Sequence, residues 1–258
     1  MSPVVDLVIP MLNEAENIGP LFDGLDRLRE RGVIRHVVVG DNGSEDETPT
    51  LAAARGAIVI REPRRGYGGA CLAAISWITA HDDPTEAIAF IDADLSNLPC
   101  ELEPLIEALD GHDLVVGCRP RFAERGALNF IQRFGNRTAT TMIWLTTGRR
   151  FSDLGPMRVI RLPAYERLEM RDRTWGWTVE MQAKAAILGL RVAEVDVPYH
   201  RRRFGTSKIS GSVAGAVKAG WKIVWTILAV RFGWRPDRAG GASQSSTITL
   251  ATNPGADG

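Results

Sequence analysis

An α/β fold built on a mostly parallel sheet is predicted by two observations. Short Val- and Ile-rich runs alternate with stretches of helical apolar spacing from residue 4 to residue 117. That alternation at short spacing is the pattern of βαβ units. The run Ala89-Phe90-Ile91 ends abruptly in two carboxylates, Asp92 and Asp94, and ligands of open α/β sheets sit at such strand ends.

The elements follow in order. Val4 to Ile9 reads as a first strand stopped by Pro10, with MLNEAEN as its loop. Leu21, Phe22, Leu25 and Leu28 recur at helical spacing, which predicts a helix from Ile18 to Arg31 that Gly32 ends. Residues 33–39 give a strand, 40–44 a turn, 45–55 a helix, 57–60 a strand and 62–69 a loop rich in Gly and Arg. A helix over 70–81, a strand over 87–91, a short helix over 104–109 and a strand over 113–117 complete the regular part. Beyond it the spacing predicts a helix over 129–147, a loop with an edge strand over 151–162, a helix over 178–188 and a strand over 191–197.

The chain divides into a main domain over 1–210, an amphipathic helical segment over 211–235 and a disordered tail over 236–258. Its 258 residues suffice for one substantial core, and 45% apolar with 24% charged residues is a soluble globular composition. Zero net charge gives no argument for a nucleic-acid partner. Cys71, Cys100 and Cys118 lack CxxC spacing, and residues 1–10 open directly into a strand, so a cytoplasmic compartment is expected. Residues 213–230 are apolar but interrupted by Lys218 and Lys222, short of the roughly 20 apolar residues of a full span. They read as an interfacial helix whose lysines and tryptophans suit a headgroup layer, or as a core or homodimer helix. Any membrane attachment is then peripheral.

The chemistry centres on AFIDADLSNLP, residues 89–99. Asp92 and Asp94, one residue apart at a strand end, are hard oxygen ligands suited to Mg²⁺ or Mn²⁺, which commonly hold a diphosphate. Asp and Asn after a strand are also ordinary turn residues. Arg65 beside Gly66 forms a flexible basic loop able to meet phosphate. Arg119, and Arg133 with Arg137 four apart on one helix face, fit a donor diphosphate or an anionic acceptor. Asp153 and Glu180 could each orient an acceptor or act as base for a hydroxyl acceptor. No Walker lysine motif and no helix-opening glycine triplet is present, which weighs against an ATPase or a dinucleotide-dependent dehydrogenase.

Taken in order, VIPMLNEAENI, VVVGDNGSEDET, RRGYGGA, FIDADLS and FSDLGPMRVI resemble the family 2 glycosyltransferases of GT-A fold, above all the polyprenyl-phosphate mannosyl- and glucosyltransferases. The resemblance implies an inverting, Mg²⁺- or Mn²⁺-dependent enzyme that uses a nucleotide sugar. It implies that Pro10, Asn13 and Glu14 line the nucleoside pocket, that Asp41 reads the base, and that Asp92 and Asp94 bind the metal with Asp94 the more direct ligand. Asp153 falls in a segment similar to the family's acceptor site. Arg203, Gly205, Ser207 and Lys208 match a mobile RxGxSK loop that closes over phosphates. Where relatives often carry Gln after the acid pair, this chain has Ser96. The expected reaction moves a hexose from a GDP-mannose- or UDP-glucose-type donor to a polyprenyl phosphate at the inner face of the cell membrane. The alternatives are transfer to a soluble sugar or small hydroxyl compound, and a non-catalytic nucleotide-sugar-binding protein.

Overall fold

The computed structural model describes residues 3–81, 83–128, 130–204 and 213–234, with 130–131 and 213–219 described only as parts of helices. Seven strands form one sheet in the order β3-β2-β1-β4-β6-β5-β7. They are β1 (Val5–Met11), β2 (Val37–Asp41), β3 (Ile58–Arg61), β4 (Ala87–Phe90), β5 (Leu114–Ala123), β6 (Arg158–Arg161) and β7 (Val192–Tyr199). β1 runs parallel to β2 and β4, β2 to β3, and β5 to β7; only β6 is reversed, antiparallel to both β4 and β5. The carboxyl ends of the parallel strands therefore gather along one edge, where the loops meet.

Helices cover both faces: α1 (Ala15–Glu30), α2 (Thr48–Ala54), α3 (Tyr67–Ala80), α4 (Leu102–Glu107), α5 (Phe130–Thr147), α6 (Leu162–Leu168), α7 (Trp177–Ile187) and α8 (Val213–Gly233). Period-two side chains divide the core. Leu7, Ile9, Val37 and Val39 pack with Leu21, Phe22 and Leu25 of α1 and with Leu102 and Leu105 of α4. Val8, Val38, Ile88 and Phe90 pack on the opposite face with Ala74 and Ile78 of α3 and Trp177 and Met181 of α7. A third cluster joins Ala139 and Ile143 of α5, Val179 and Ala183 of α7, and Ile227 and Val230 of α8.

Several boundaries differ from the sequence reading. β1 continues through Pro10 to Met11. Leu7 donates to His36 and Met11 accepts from Asn42, so odd residues bond to β2. Pro10 points the other way, toward β4, whose ladder with β1 has ended at Val8–Phe90. Its missing N–H is not needed there. α2 starts at Thr48 rather than 45, because Asn13 Oδ1 takes the Glu45 N–H (2.8 Å) and Asp46 Oδ1 takes the Thr48 N–H (3.0 Å). The strand expected at an edge within 151–162 is β6, in the sheet's interior between β4 and β5. α6 was not foreseen, and β5 runs on to Ala123. The helix expected over 213–230 is α8, and it packs on α5 and α7. The tail over 236–258 lies outside the described residues.

Candidate active site

The chain leaves the sheet just after β4, where the Ile91 N–H still donates to Val8. Asp94 then folds the segment into a turn, its Oδ1 accepting the Ser96 N–H at 2.9 Å with Leu95 at φ 59°. Asp92 Oδ1 accepts the Tyr67 hydroxyl at 2.9 Å, and Tyr67 is the first residue of α3. Both carboxylates face a cleft of about 150 Å³ lined also by Pro10, Glu14, Asn42, Tyr67, Trp175 and Arg202. Arg202 bridges it: Nη2 is 2.8 Å from Asp94 Oδ2 and Nη1 is 3.1 Å from Glu14 Oε1. Asn17 Nδ2 donates to the other Glu14 oxygen at 2.7 Å. Burial, and then the neighbouring Asp94 charge, push the Asp92 carboxyl up to about 7. The site carries more negative charge than it can easily hold.

Among the described residues no group of three or more His, Cys, Asp or Glu side chains is arranged to hold a metal. Two adjacent carboxylates beside an open cleft nevertheless fit a hard divalent cation that takes its remaining oxygens from phosphate or water. The guanidinium of Arg202 on Asp94 shows that a positive charge is favoured at this place.

The surrounding loops are tied together. Asn13 adopts φ 50°, its N–H donating to Ser44 Oγ at 3.0 Å, while the Glu14 N–H donates to Thr48 Oγ1 at 2.8 Å. Asp41 is buried at the end of β2 and accepts the Ser44 N–H at 3.0 Å; its neighbour Asn42 lines the cleft. Gly66 precedes α3 at φ 152° and donates its N–H to Asn42 Oδ1 at 2.7 Å. Arg65 lies at the exposed rim, paired with Glu45 at 3.0 Å.

A second cavity of about 300 Å³ opens beside Arg119 and is lined by Arg133, Asn136 and Arg137 of α5 and by Ser152 and Asp153. The sequence-predicted arginines therefore do converge. Among the described residues neither Arg133 nor Arg137 pairs with a carboxylate. Arg119 is committed to Asp153, with Nε 2.7 Å from Oδ2 and Nη2 2.9 Å from Oδ1. Its positive charge favours the ionised form of Asp92.

Three more of the sequence-predicted residues have defined neighbours. Asp153 is fully buried, and besides the Arg119 side chain it accepts the N–H groups of Arg119 (3.0 Å) and Leu154 (2.9 Å). Both its oxygens are filled, and it anchors Arg119. Glu180 is turned away from both cavities: it pairs with buried Lys184 at 2.7 Å and accepts the Asp172 N–H at 2.7 Å. Arg203 is exposed and stacks its guanidinium on Phe204, while Arg202 reaches the acid pair. Gly205, Ser207 and Lys208 lie outside the described residues.

Tyr67 and Asn42 were not singled out by the sequence reading. The tyrosine stood in the RRGYGGA segment, but only the helix starting there aims its hydroxyl at Asp92. Glu194 was missed as well; from β7 it accepts the Ser152 N–H (2.7 Å) and hydroxyl (2.9 Å) and so holds the Asp153 loop.

The chain was compared with known proteins. The glycosyl transferase family 2 model matches residues 6–169, more than half the chain. An uncharacterized glycosyltransferase of Mycobacterium tuberculosis is 38% identical over 229 residues, covering 85% of this chain and 97% of that protein. The undecaprenyl-phosphate mannosyltransferase of Micrococcus luteus is 32% identical over 225 residues, covering 81% and 88%. Among solved structures, glucosyl-3-phosphoglycerate synthase of M. tuberculosis with phosphoglyceric acid superposes with a TM-score of 0.70 at 19% identity, covering 94% of this chain and 84% of that one. The same enzyme with Mn²⁺ and UDP-glucose gives 0.68 at 21% identity, covering 94% and 83%. The fold is thus the GT-A fold, and the chain belongs to glycosyl transferase family 2, as an enzyme of that class.

Proposed function

We propose that the enzyme transfers a hexose from a nucleoside diphosphate sugar to a polyprenyl phosphate, with inversion at the anomeric carbon. The observation that carries this reading is the second cavity. It presents Arg133 and Arg137 beside Arg119, and Asp153, the only carboxylate among its described lining residues, is saturated by Arg119. A hydroxyl acceptor requires a base, whereas a phosphate acceptor is already ionised near neutral pH and requires cations.

The donor diphosphate lies in the cleft at Asp92 and Asp94, with Glu14 and Asn42 toward the nucleoside. Mg²⁺ or Mn²⁺ held by the acid pair supplies Lewis-acid stabilisation of the charge on the leaving diphosphate. Arg202 offers a guanidinium to the same phosphates, and Tyr67 orients Asp92 through its hydroxyl. Trp175, 42% exposed at the cleft, presents an indole face to the sugar. Arg133 and Arg137 hold the acceptor phosphate. One of its oxygens forms the new bond to the anomeric carbon from the face opposite the leaving diphosphate. The bond from that carbon to the diphosphate oxygen breaks, and its electron pair leaves with the nucleoside diphosphate. No proton need move.

The likeness to undecaprenyl-phosphate mannosyltransferase supports a lipid acceptor. A second reading, a soluble phosphorylated acceptor, is favoured by the likeness to glucosyl-3-phosphoglycerate synthase. Trp221, Trp225, Leu228 and Phe232 of α8 are exposed, which favours the lipid and a peripheral place on a membrane surface. The test is a donor panel of labelled GDP-mannose and UDP-glucose, with Mg²⁺ or Mn²⁺, against undecaprenyl phosphate and 3-phosphoglycerate. Label entering the organic phase supports the lipid reading. Label only in aqueous phosphoglycerate product replaces it with the soluble one, and no transfer from either donor to either acceptor overturns both.

A further inference from the structure

Trp175 reaches the cleft from the loop between α6 and α7, and that loop is gripped from two sides. On the cleft side, the carbonyls of Arg173 and Thr174 accept the N–H groups of Gly69 (2.8 Å) and Gly68 (3.2 Å) at the start of α3. On the far side, Asp172 is reached from α8: Lys222 Nζ is 2.9 Å from its Oδ2, and the Thr226 hydroxyl donates to the same oxygen at 3.4 Å. The other oxygen takes the Thr174 N–H at 2.7 Å and the Thr174 hydroxyl at 2.8 Å, one residue before Trp175. The junction is tight: a Cβ at Gly176 would stand 2.3 Å from Asp172 Oδ2 and 2.5 Å from Thr226 Oγ1. Burial by itself would raise the Asp172 carboxyl, but the bonds from Lys222 and Thr174 hold it below its ordinary range.

None of these groups except Trp175 lines the cleft. We propose that Lys222 and Asp172 are positioning residues, through which α8 sets the place of Trp175 beside the acid pair. The inference rests on the reading of that cleft as the donor site. Asp172 takes its orientation from Lys222 and passes it to Thr174, whose neighbour is the indole. The same turn of α8 presents Trp221 and Trp225 outward, 71% and 59% exposed.

The test is a double-mutant cycle on Lys222→Met and Trp175→Phe, with Lys222→Arg as the conservative control. Binding of UDP-glucose and GDP-mannose with Mn²⁺ is measured by calorimetry, alongside donor KM, kcat and Tm. Lys222→Met is expected to weaken donor binding and raise donor KM by about five-fold, the scale of coupling between linked residues. Lys222→Arg is expected to restore both, and Trp175→Phe with Lys222→Met to be no weaker than Trp175→Phe alone. Unchanged binding in Lys222→Met, fully additive losses in the double variant, or a loss that follows a fall in Tm and is not rescued by arginine overturns the proposal. Wild-type protein that binds neither donor overturns the cleft reading itself, and that outcome is separate because it appears before any substitution.

Discussion

Asp153 and Arg119 are the clearest case where one side chain's role follows from its neighbours. The Arg119 side chain is 14% exposed and the Asp153 side chain 1%, so their two parallel bonds lie out of water. Removing one partner of such a pair leaves a buried charge uncompensated, at a cost of about 3–5 kcal/mol. Asp153→Ala is therefore expected to lower unfolding stability by about that amount in urea titrations, with activity lost through a displaced Arg119. A base would behave differently: its loss would reduce turnover at near-native stability.

Asp92 gives a pH prediction. Its carboxyl is raised from 3.8 to about 7, first by burial and then by Asp94. Between those values the folded chain binds more protons at this group than the unfolded chain does. Without divalent cation, its contribution to stability is complete below the unfolded value and is lost as pH rises through about 7. On the proposed reading the acid pair holds the cation in its ionised form, so the Tm gained on adding Mn²⁺ should grow from about pH 5 to about pH 8. Differential scanning fluorimetry across that range checks both slopes, and Asp92→Asn should flatten them.

At the scale of elements, the start of α3 decides how the cleft closes. A Cβ on Gly68 would stand 2.0 Å from the Asp172 carbonyl oxygen. Helix propensity alone would favour alanine there by about 0.5–1 kcal/mol. The forced separation of α3 from the 172–174 segment costs about 1–3 kcal/mol and wins. Gly68→Ala should therefore be destabilising and should weaken nucleotide binding. Gly19→Ala in α1, where a Cβ meets nothing within 4 Å, should be neutral or stabilising. Urea melts of the two variants make the comparison.

The same elements show what could be read from the chain alone. Strand ends were legible because an apolar run stopping at Asp92 or Asp41 changes character within one residue. β6 was expected at an edge: RVIR is four residues long between Gly-Pro-Met and Leu-Pro, and nothing local marks it as reversed and central. Its Arg158 is fully buried, and burial pushes that guanidinium down to about 10, so polarity there pointed the wrong way. The choice of Arg202 over Arg203 was equally hidden. In a run of three arginines only the path of the chain after β7 selects which one faces Asp94 and Glu14. Glu180 looked available because an i, i+4 pair with Lys184 is also an ordinary solvated helix pattern; in the fold both side chains of that pair are buried, and Lys184 Nζ stands 4.8 Å from the Trp234 ring.

At the scale of the whole molecule, α8 is apolar on two faces. Ile223, Ile227 and Val230 pack inward on α5 and α7. Trp221, Trp225, Leu228 and Phe232, spaced i, i+4, i+7 and i+11, form a stripe on the outside, with Phe232 76% exposed. On α5, which packs against α8, Leu145 is also 71% exposed. Among the described residues no helix is long and apolar enough to cross a membrane. A stripe with two tryptophans suits the depth of lipid headgroups better than a second copy of the same stripe, because the indole is apolar in body and polar at one edge. Replacing Trp221, Trp225 and Phe232 by alanine removes side chains that already face solvent, so folding and donor binding should be close to wild type. Co-sedimentation with anionic vesicles should fall at least about ten-fold, since each buried aromatic contributes on the order of 1.5 kcal/mol or more. Transfer to a short-chain, water-soluble polyprenyl phosphate should persist while transfer to the vesicle-borne lipid fails. If instead the wild type sediments without vesicles as a dimer and the variant as a monomer, the stripe is a subunit contact, and the lipid must reach the arginine cavity by another path.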